Sequence, residues 1–170
     1  MILSDRDIDH IIKNGEHLLV NPYNDMMLQP NSVDLTLGSE LLTLTGKSID
    51  LSNKTYKLKP NEFILGATLE SIHIPLDLVG HIDGKSSIGR LGVFIHISSG
   101  FIDSGYNGNV TLEIYNCSDK EFELYHGMRI CQIVFQTLTS PVIRPYGHKD
   151  LDSHYQDSVG VVGSKYEGYK

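Results

Sequence analysis

From residue 32 to about residue 139 the chain never runs far without a turn signal, and this limits what it can fold into. Between the signals lie short runs of strand-forming residues: Glu40–Leu44, Tyr56–Leu58, Phe63–Thr68, Val79–Ile82, Val93–Ile97, Val110–Tyr115, Glu121–Leu124 and Ile130–Leu138. Gly46, Lys59-Pro60-Asn61-Glu62, Ile74-Pro75, Asn107-Gly108 and His126-Gly127 punctuate them. Strands so short and so frequent predict a mainly-β domain, a distorted barrel or jelly roll. Ahead of them, Ser4 and Asp7 form a capping box, Ile8, Ile11 and Ile12 recur at helical spacing, and Gly15 ends one short N-terminal helix. Pro22 and Gln29-Pro30-Asn31-Ser32 cannot continue it, and Ser32–Gly38 alternates like a half-buried strand.

The remaining residues narrow the class. At 170 residues the chain is one ordinary domain, here residues 1–150, followed by a tail, 151–170, rich in Gly, Ser, Tyr and charge and without period. That tail reads either as a disordered terminus or as a flexible lid. A net charge of −7 argues against a nucleic-acid binder, which would carry a basic face, yet a small anionic ligand needs only local cations. No apolar run reaches membrane-spanning length, and Met1–Asp7 lacks a signal-peptide pattern, so a cytoplasmic protein without membrane partners is expected. Cys117 and Cys131 give neither a metal knuckle nor a disulfide framework.

Three stretches carry chemistry. Gly84-Lys85-Ser86-Ser87-Ile88-Gly89-Arg90-Leu91-Gly92 sets two cations and two hydroxyls among glycines, the material of a phosphate site or of a plain Gly/Ser loop. It has neither the P-loop order nor the Rossmann spacing. In Gly100–Gly108, Asp103 sits in a glycine-flanked turn, where it can accept from a sugar hydroxyl, orient a water, or close an Asx turn. In Val110–Asn116, Val110, Leu112 and Ile114 form one face and Thr111, Glu113 and Tyr115 the other. A carboxylate on such a face points to water or, where the face closes over a pocket, is suited to proton transfer; Arg90 would then pair with it. The eight histidines are scattered, and the zinc-hydrolase and zinc-deaminase signatures are missing, so a carboxylate or a substrate-borne metal must activate water.

Together these stretches resemble the dCTP deaminase family of the dUTPase-like superfamily. The likeness runs through Met1–Ile8, Gln29-Pro30-Asn31-Ser32-Val33-Asp34-Leu35, Gly84–Gly92, Gly100–Asn116, Gly127–Phe135 and Arg144-Pro145-Tyr146-Gly147. The resemblance implies a homotrimer of distorted barrels with sites between subunits, and hydrolytic deamination of dCTP without zinc. It implies that Glu113 is the general base for attack at cytosine carbon 4, and that Arg90 and Ser86 hold that carboxylate, the water and the amino group. Lys85 and Ser87 match triphosphate-binding positions, with Ile88 and Gly89 in the same loop, and Asp103 matches the carboxylate at the deoxyribose. Backbone at Thr111 and Leu112, with Gln132 and Tyr146, completes the pocket. Mg²⁺ enters on the triphosphate, and no metal is held directly by the protein. The resemblance leaves room for dUTP as a second substrate and dTTP as an inhibitor.

The chain departs from the family in its tail. A Lys-Tyr-x-x-Gln run is common there; here the run is His154-Tyr155-Gln156-Asp157-Ser158, with Lys165 as a replacement cation. Ser99 stands where a small apolar residue is usual. Gly100-Phe101 before Ile102-Asp103 resembles members that also cleave the triphosphate and release dUMP, ammonia and pyrophosphate. A deaminase that stops at dUTP, a plain dUTP pyrophosphatase, which needs no carboxylate at Glu113, and a non-catalytic nucleotide-binding regulatory protein are the competing readings.

Overall fold

A computed structural model describes residues 1–14, 19–98 and 100–166. The first element is α1 (Asp5–Asn14), opened as the sequence predicts by Ser4, whose Oγ accepts the Asp7 N–H at 3.4 Å and donates to its carboxylate at 2.9 Å. Ile8 and Ile12, one turn apart, are its buried stripe. The expected stop at Gly15 lies outside the described residues, as does Ser99. No described helix is long and apolar enough to cross a membrane.

Two antiparallel sheets carry the fold. One runs β5 (Ser48–Asp50), β4 (Glu40–Leu42), β7 (Phe63–His73), β11 (Asn107–Asn116), β9 (Val93–Ile95), with β1 (Val20–Asn21) also on β7. The other runs β10 (Phe101–Ile102), β8 (Leu78–Gly84), β13 (Arg129–Thr137), β3 (Ser32–Thr36), β2 (Leu28–Gln29). β6 (Tyr56–Leu58) and β12 (Phe122–Leu124) form a separate ribbon. Val33, Leu35, Ile133 and Phe135 of the second sheet and Ile64, Leu112 and Ile114 of the first share one buried cluster. A mainly-β distorted barrel with one N-terminal helix is therefore what the alternation produces.

The sheets join where β3 meets β7. Leu37 and Thr68 form an antiparallel bridge, and the Gly38 N–H reaches the Ala67 carbonyl at 2.8 Å. Glu70, only 3% exposed, closes this seam by accepting the Thr36 N–H at 2.9 Å and the Thr36 hydroxyl at 2.6 Å. Beside it Asn109 fills a bulge in β11, its Nδ2 lying 3.1–3.2 Å from the carbonyls of Thr68, Leu69 and Glu70.

Four local expectations need correction. β7 continues past Thr68 to His73, because Glu70 is paired inside the protein and does not end the strand. β3 is buried at every position rather than on one face, since its polar side chains also find partners. Gly84–Gly92 holds the short helix α2 (Ser86–Gly89) as well as loop. Asn107-Gly108 lies within β11 rather than in a turn.

Burial pushes the Glu70 carboxyl above its usual range, and the Thr36 bonds oppose this. A carboxyl raised by folding favours the folded state below its unfolded range, and the advantage disappears as pH climbs through the raised one. The unfolding free energy of Glu70→Gln, relative to wild type, should therefore shift in the variant's favour as pH rises above the ordinary carboxylate range in urea titrations. A difference that stays constant with pH would remove Glu70 from this role.

Candidate active site

A groove of about 660 Å³ opens between the first sheet and the tail. β11 supplies Thr111 and Glu113, the chain leaving β10 supplies Asp103, and Tyr146, Tyr155 and Ser158 close the far side. Glu113 Oε2 accepts the Ser98 N–H at 3.3 Å and the Ser98 hydroxyl at 3.2 Å. The Glu113 carbonyl takes the His96 N–H at 2.6 Å, with His96 in the left-handed region at φ 58°. Asp103 and Glu113 thus face one groove, and among its described lining residues there is no lysine or arginine.

The tail is built into this groove. Its Ser158 pairs alongside Gly108, the Asn109 N–H reaches Ser158 O at 2.8 Å, Gly160 N–H reaches Asn109 Oδ1 at 3.0 Å, and Val162 N–H reaches Thr111 Oγ1 at 3.0 Å. Gln156 Nε2 donates to the Gly105 carbonyl at 2.9 Å. The Tyr146 hydroxyl accepts the Tyr155 N–H at 3.0 Å, and its ring stands edge-on to Tyr106 at 5.6 Å. Burial, then the neighbouring Tyr146 and Asp157, push the Tyr106 hydroxyl well above its usual range, so it stays neutral and donates to the Asn109 carbonyl at 2.7 Å. Lys165 lies over the Tyr155 ring at 5.5 Å and donates to the His154 carbonyl. His154 itself pairs with Asp152 at 3.6 Å and does not line the groove.

The cationic stretch lies elsewhere on the chain. Lys85 caps α2 and bonds Asp34 at 2.5 Å; Ser86, Ser87, Gly89 and Arg90 are exposed. Ile88 turns its side chain into the core at 5% exposure. None of the six lines the groove, and Arg90 has no carboxylate partner among the described residues, so the expected Arg90–Glu113 pair is not made within one chain. Ser98 occupies Glu113 instead. Gln132 lies with the cationic stretch on the second sheet, accepting from Ser32 at 2.9 Å, and the Leu112 side chain is wholly buried, leaving only its backbone. Gly100 packs so closely on β8 that a Cβ would meet Ile82 O at 2.9 Å, whereas Phe101 is 63% exposed at the groove edge. Residue spacing does not single out His96, Tyr106 or Asn109, and Asn109, directly after Asn107-Gly108, has the composition of a turn.

The two-sheet, mainly-β fold itself is one also found in a deaminase structure. The 2'-deoxycytidine 5'-triphosphate deaminase from Agrobacterium tumefaciens superposes with a TM-score of 0.69 at 24% identity, over 81% of this chain and 48% of that one, so the chain spans about half its length. Residues 2–138 match the family described as dCTP deaminase-like, and the chain belongs to it. It is 39% identical to a protein of Methanosphaera stadtmanae named dCTP deaminase, dUMP-forming, over 96% of this chain and 93% of that one. It is 42% identical to one of the same name from Corynebacterium jeikeium, over 97% and 96%.

Gly108 lets the tail approach. At φ +136° it holds a conformation open to glycine, and a Cβ there would stand 2.7 Å from both Ser158 N and O. In Gly108→Ala the Asn109, Gly160 and Val162 amides should lose hydrogen-exchange protection while the core amides of β7 and β13 keep theirs. Unchanged protection at Gly160 and Val162 would show that this close approach does not hold the tail.

Proposed function

We propose that the protein is a cytoplasmic, homotrimeric dUMP-forming dCTP deaminase whose sites are shared between subunits. The observation that carries the reading is the groove with Asp103 and Glu113, in a chain alike over nearly its whole length to relatives of that name. Glu113 takes a proton from water as its oxygen bonds to carbon 4 of cytosine, then returns one to the departing amino group, which leaves as ammonia. Asp103 orients a second water toward the α-phosphorus, and breaking the bond to the leaving phosphates gives dUMP and pyrophosphate. A magnesium ion carried on the triphosphate would neutralise charge on the leaving pyrophosphate, and the acidic groove lined by Asp103 and Glu113 is compatible with a ligand that brings its own cation. Gly100 and Phe101 set no polar side chain beside Asp103, which leaves that place to the second water. dTTP, a pyrimidine triphosphate, would compete for the same groove.

Charge supports the sharing of sites. A triphosphate cannot settle among carboxylates alone, and Lys85, Ser86, Ser87, Arg90 and Gln132 stand outside the groove that needs them. A second copy of the chain would bring them to it. Large apolar side chains next to this stretch, Leu91 at 59% and Phe94 at 49% exposure, suit a covered surface. Ser158 of the tail lines the groove, His154 and Lys165, joined to each other beside the lining Tyr155, would meet the phosphates at its rim, and excluding water there favours chemistry over stability of the fold.

Glu113→Gln should lower ammonia release from dCTP by at least about 10²-fold while nucleotide binding persists, since an amide keeps the shape but takes no proton. Release within tenfold of wild type would exclude Glu113 as the base. Arg90→Ala alone should be similarly inactive, yet Glu113→Gln and Arg90→Ala chains refolded together should recover about a quarter of wild-type activity, because each site then draws its two parts from independently chosen copies. No recovery in a mixed trimer would place both residues in one subunit's site. Chromatography of the products from dCTP, with dUTP never hydrolysed, would reduce the reading to simple deamination.

A further inference from the structure

Ser32, Asp34 and Thr36 lie on one face of β3 at two-residue spacing, with exposures of 2%, 2% and 6%. Each has a partner on another element. Thr36 serves Glu70 at the seam, Ser32 donates to Gln132 Oε1 at 2.9 Å, and Asp34 meets Lys85 Nζ at 2.5 Å and Arg129 Nη1 at 3.8 Å. The two residues of the Gln29–Leu35 motif that no step of the reaction uses are therefore bonded to two residues read as nucleotide contacts. The dependence is one-sided. A carboxylate this deeply buried is costly without a cation, whereas Lys85 keeps 24% of its side chain exposed and could satisfy its ammonium with water.

We propose that Asp34 is a positioning residue: its buried carboxylate fixes the Lys85 ammonium at the start of α2 as a ready-made phosphate contact, and Ser32 fixes the Gln132 amide likewise. The inference rests on the proposed nucleotide-binding roles of Lys85 and Gln132. A lysine stem that is already ordered loses no rotamer freedom when phosphate arrives. Asp34 also draws on the charge it holds, and the two effects oppose each other. Burial settles the sign, because the carboxylate lies beneath Lys85, out of reach of a ligand, and an ammonium has three donors to share.

Steady-state kinetics with dCTP on the full-length protein test this, using Asp34→Asn, Lys85→Met and the double variant, with thermal melts alongside. Asp34→Asn should raise KM about tenfold and change kcat less than about twofold, the loss expected of one charge-assisted contact. The double variant should have the KM of Lys85→Met alone, because the effect of Asp34 passes through Lys85. Additive increases, or a KM lowered by Asp34→Asn, would overturn the proposal. Should Asp34→Asn fail to fold, Ser32→Ala decides: its KM increase should vanish in a Gln132→Ala background, and an additive increase would overturn it. If Lys85→Met leaves KM unchanged, the reading of Lys85 as a nucleotide contact fails and this inference with it. If Lys85→Met raises KM and Asp34→Asn does not, the positioning role alone fails.

Discussion

The two hydrogen bonds from Thr36 to the buried Glu70 are the point at which two sheets become one barrel. An ionised carboxyl at 3% exposure is costly unless its oxygens are occupied, and Thr36 offers both its N–H and its hydroxyl. The adjoining Leu37–Thr68 bridge and the Asn109 side chain satisfy the backbone on either side. The same seam sets the aim of β11, since its bulge falls between Asn109 and Thr111, directly before the residues that face the groove. Fold and groove are thus built from one set of polar contacts.

Polar pairing also explains how an acidic chain is organised for an anionic ligand. Its cations are not spread over the groove: Lys85 and Arg129 are gathered around Asp34, and the groove keeps Asp103 and Glu113. Within one chain no lysine or arginine among the described lining residues neutralises these carboxylates. Separating the two charge types along one chain, and rejoining them between copies, would allow both to keep their chemistry.

Much of this was legible from residue types. The alternation in Val110–Asn116 placed Glu113 and Thr111 on the polar side, where they are found, and the capping residues of α1 were read correctly. Two-residue strands such as β1, β2 and β10 were invisible because so few residues carry no period. Glu70 ended a predicted strand early, since a single sequence does not show that a charge 34 residues from Thr36 is paired with it. Asn107-Gly108 has the composition of a turn, but glycine serves equally where another segment must pass close by, and here that segment is the tail. The pairing of Arg90 with Glu113 rests on the resemblance and not on spacing, and within one chain Arg90 ends α2 on the exposed surface, outside the groove that Glu113 lines.

The position of β13 bears on how the protein is made. It lies between β8 and β3, pairing Cys131–Thr137 with the former and Arg129–Ile133 with the latter. Ser32 must wait for Gln132, and the Met1 carbonyl for the Thr137 N–H. During synthesis both neighbours therefore emerge long before the strand that joins them and expose open edges of the kind that recruit other chains. From the translation of residue 84 until that of residue 137 those edges stay open, and a chaperone that covers the nascent chain would shield them.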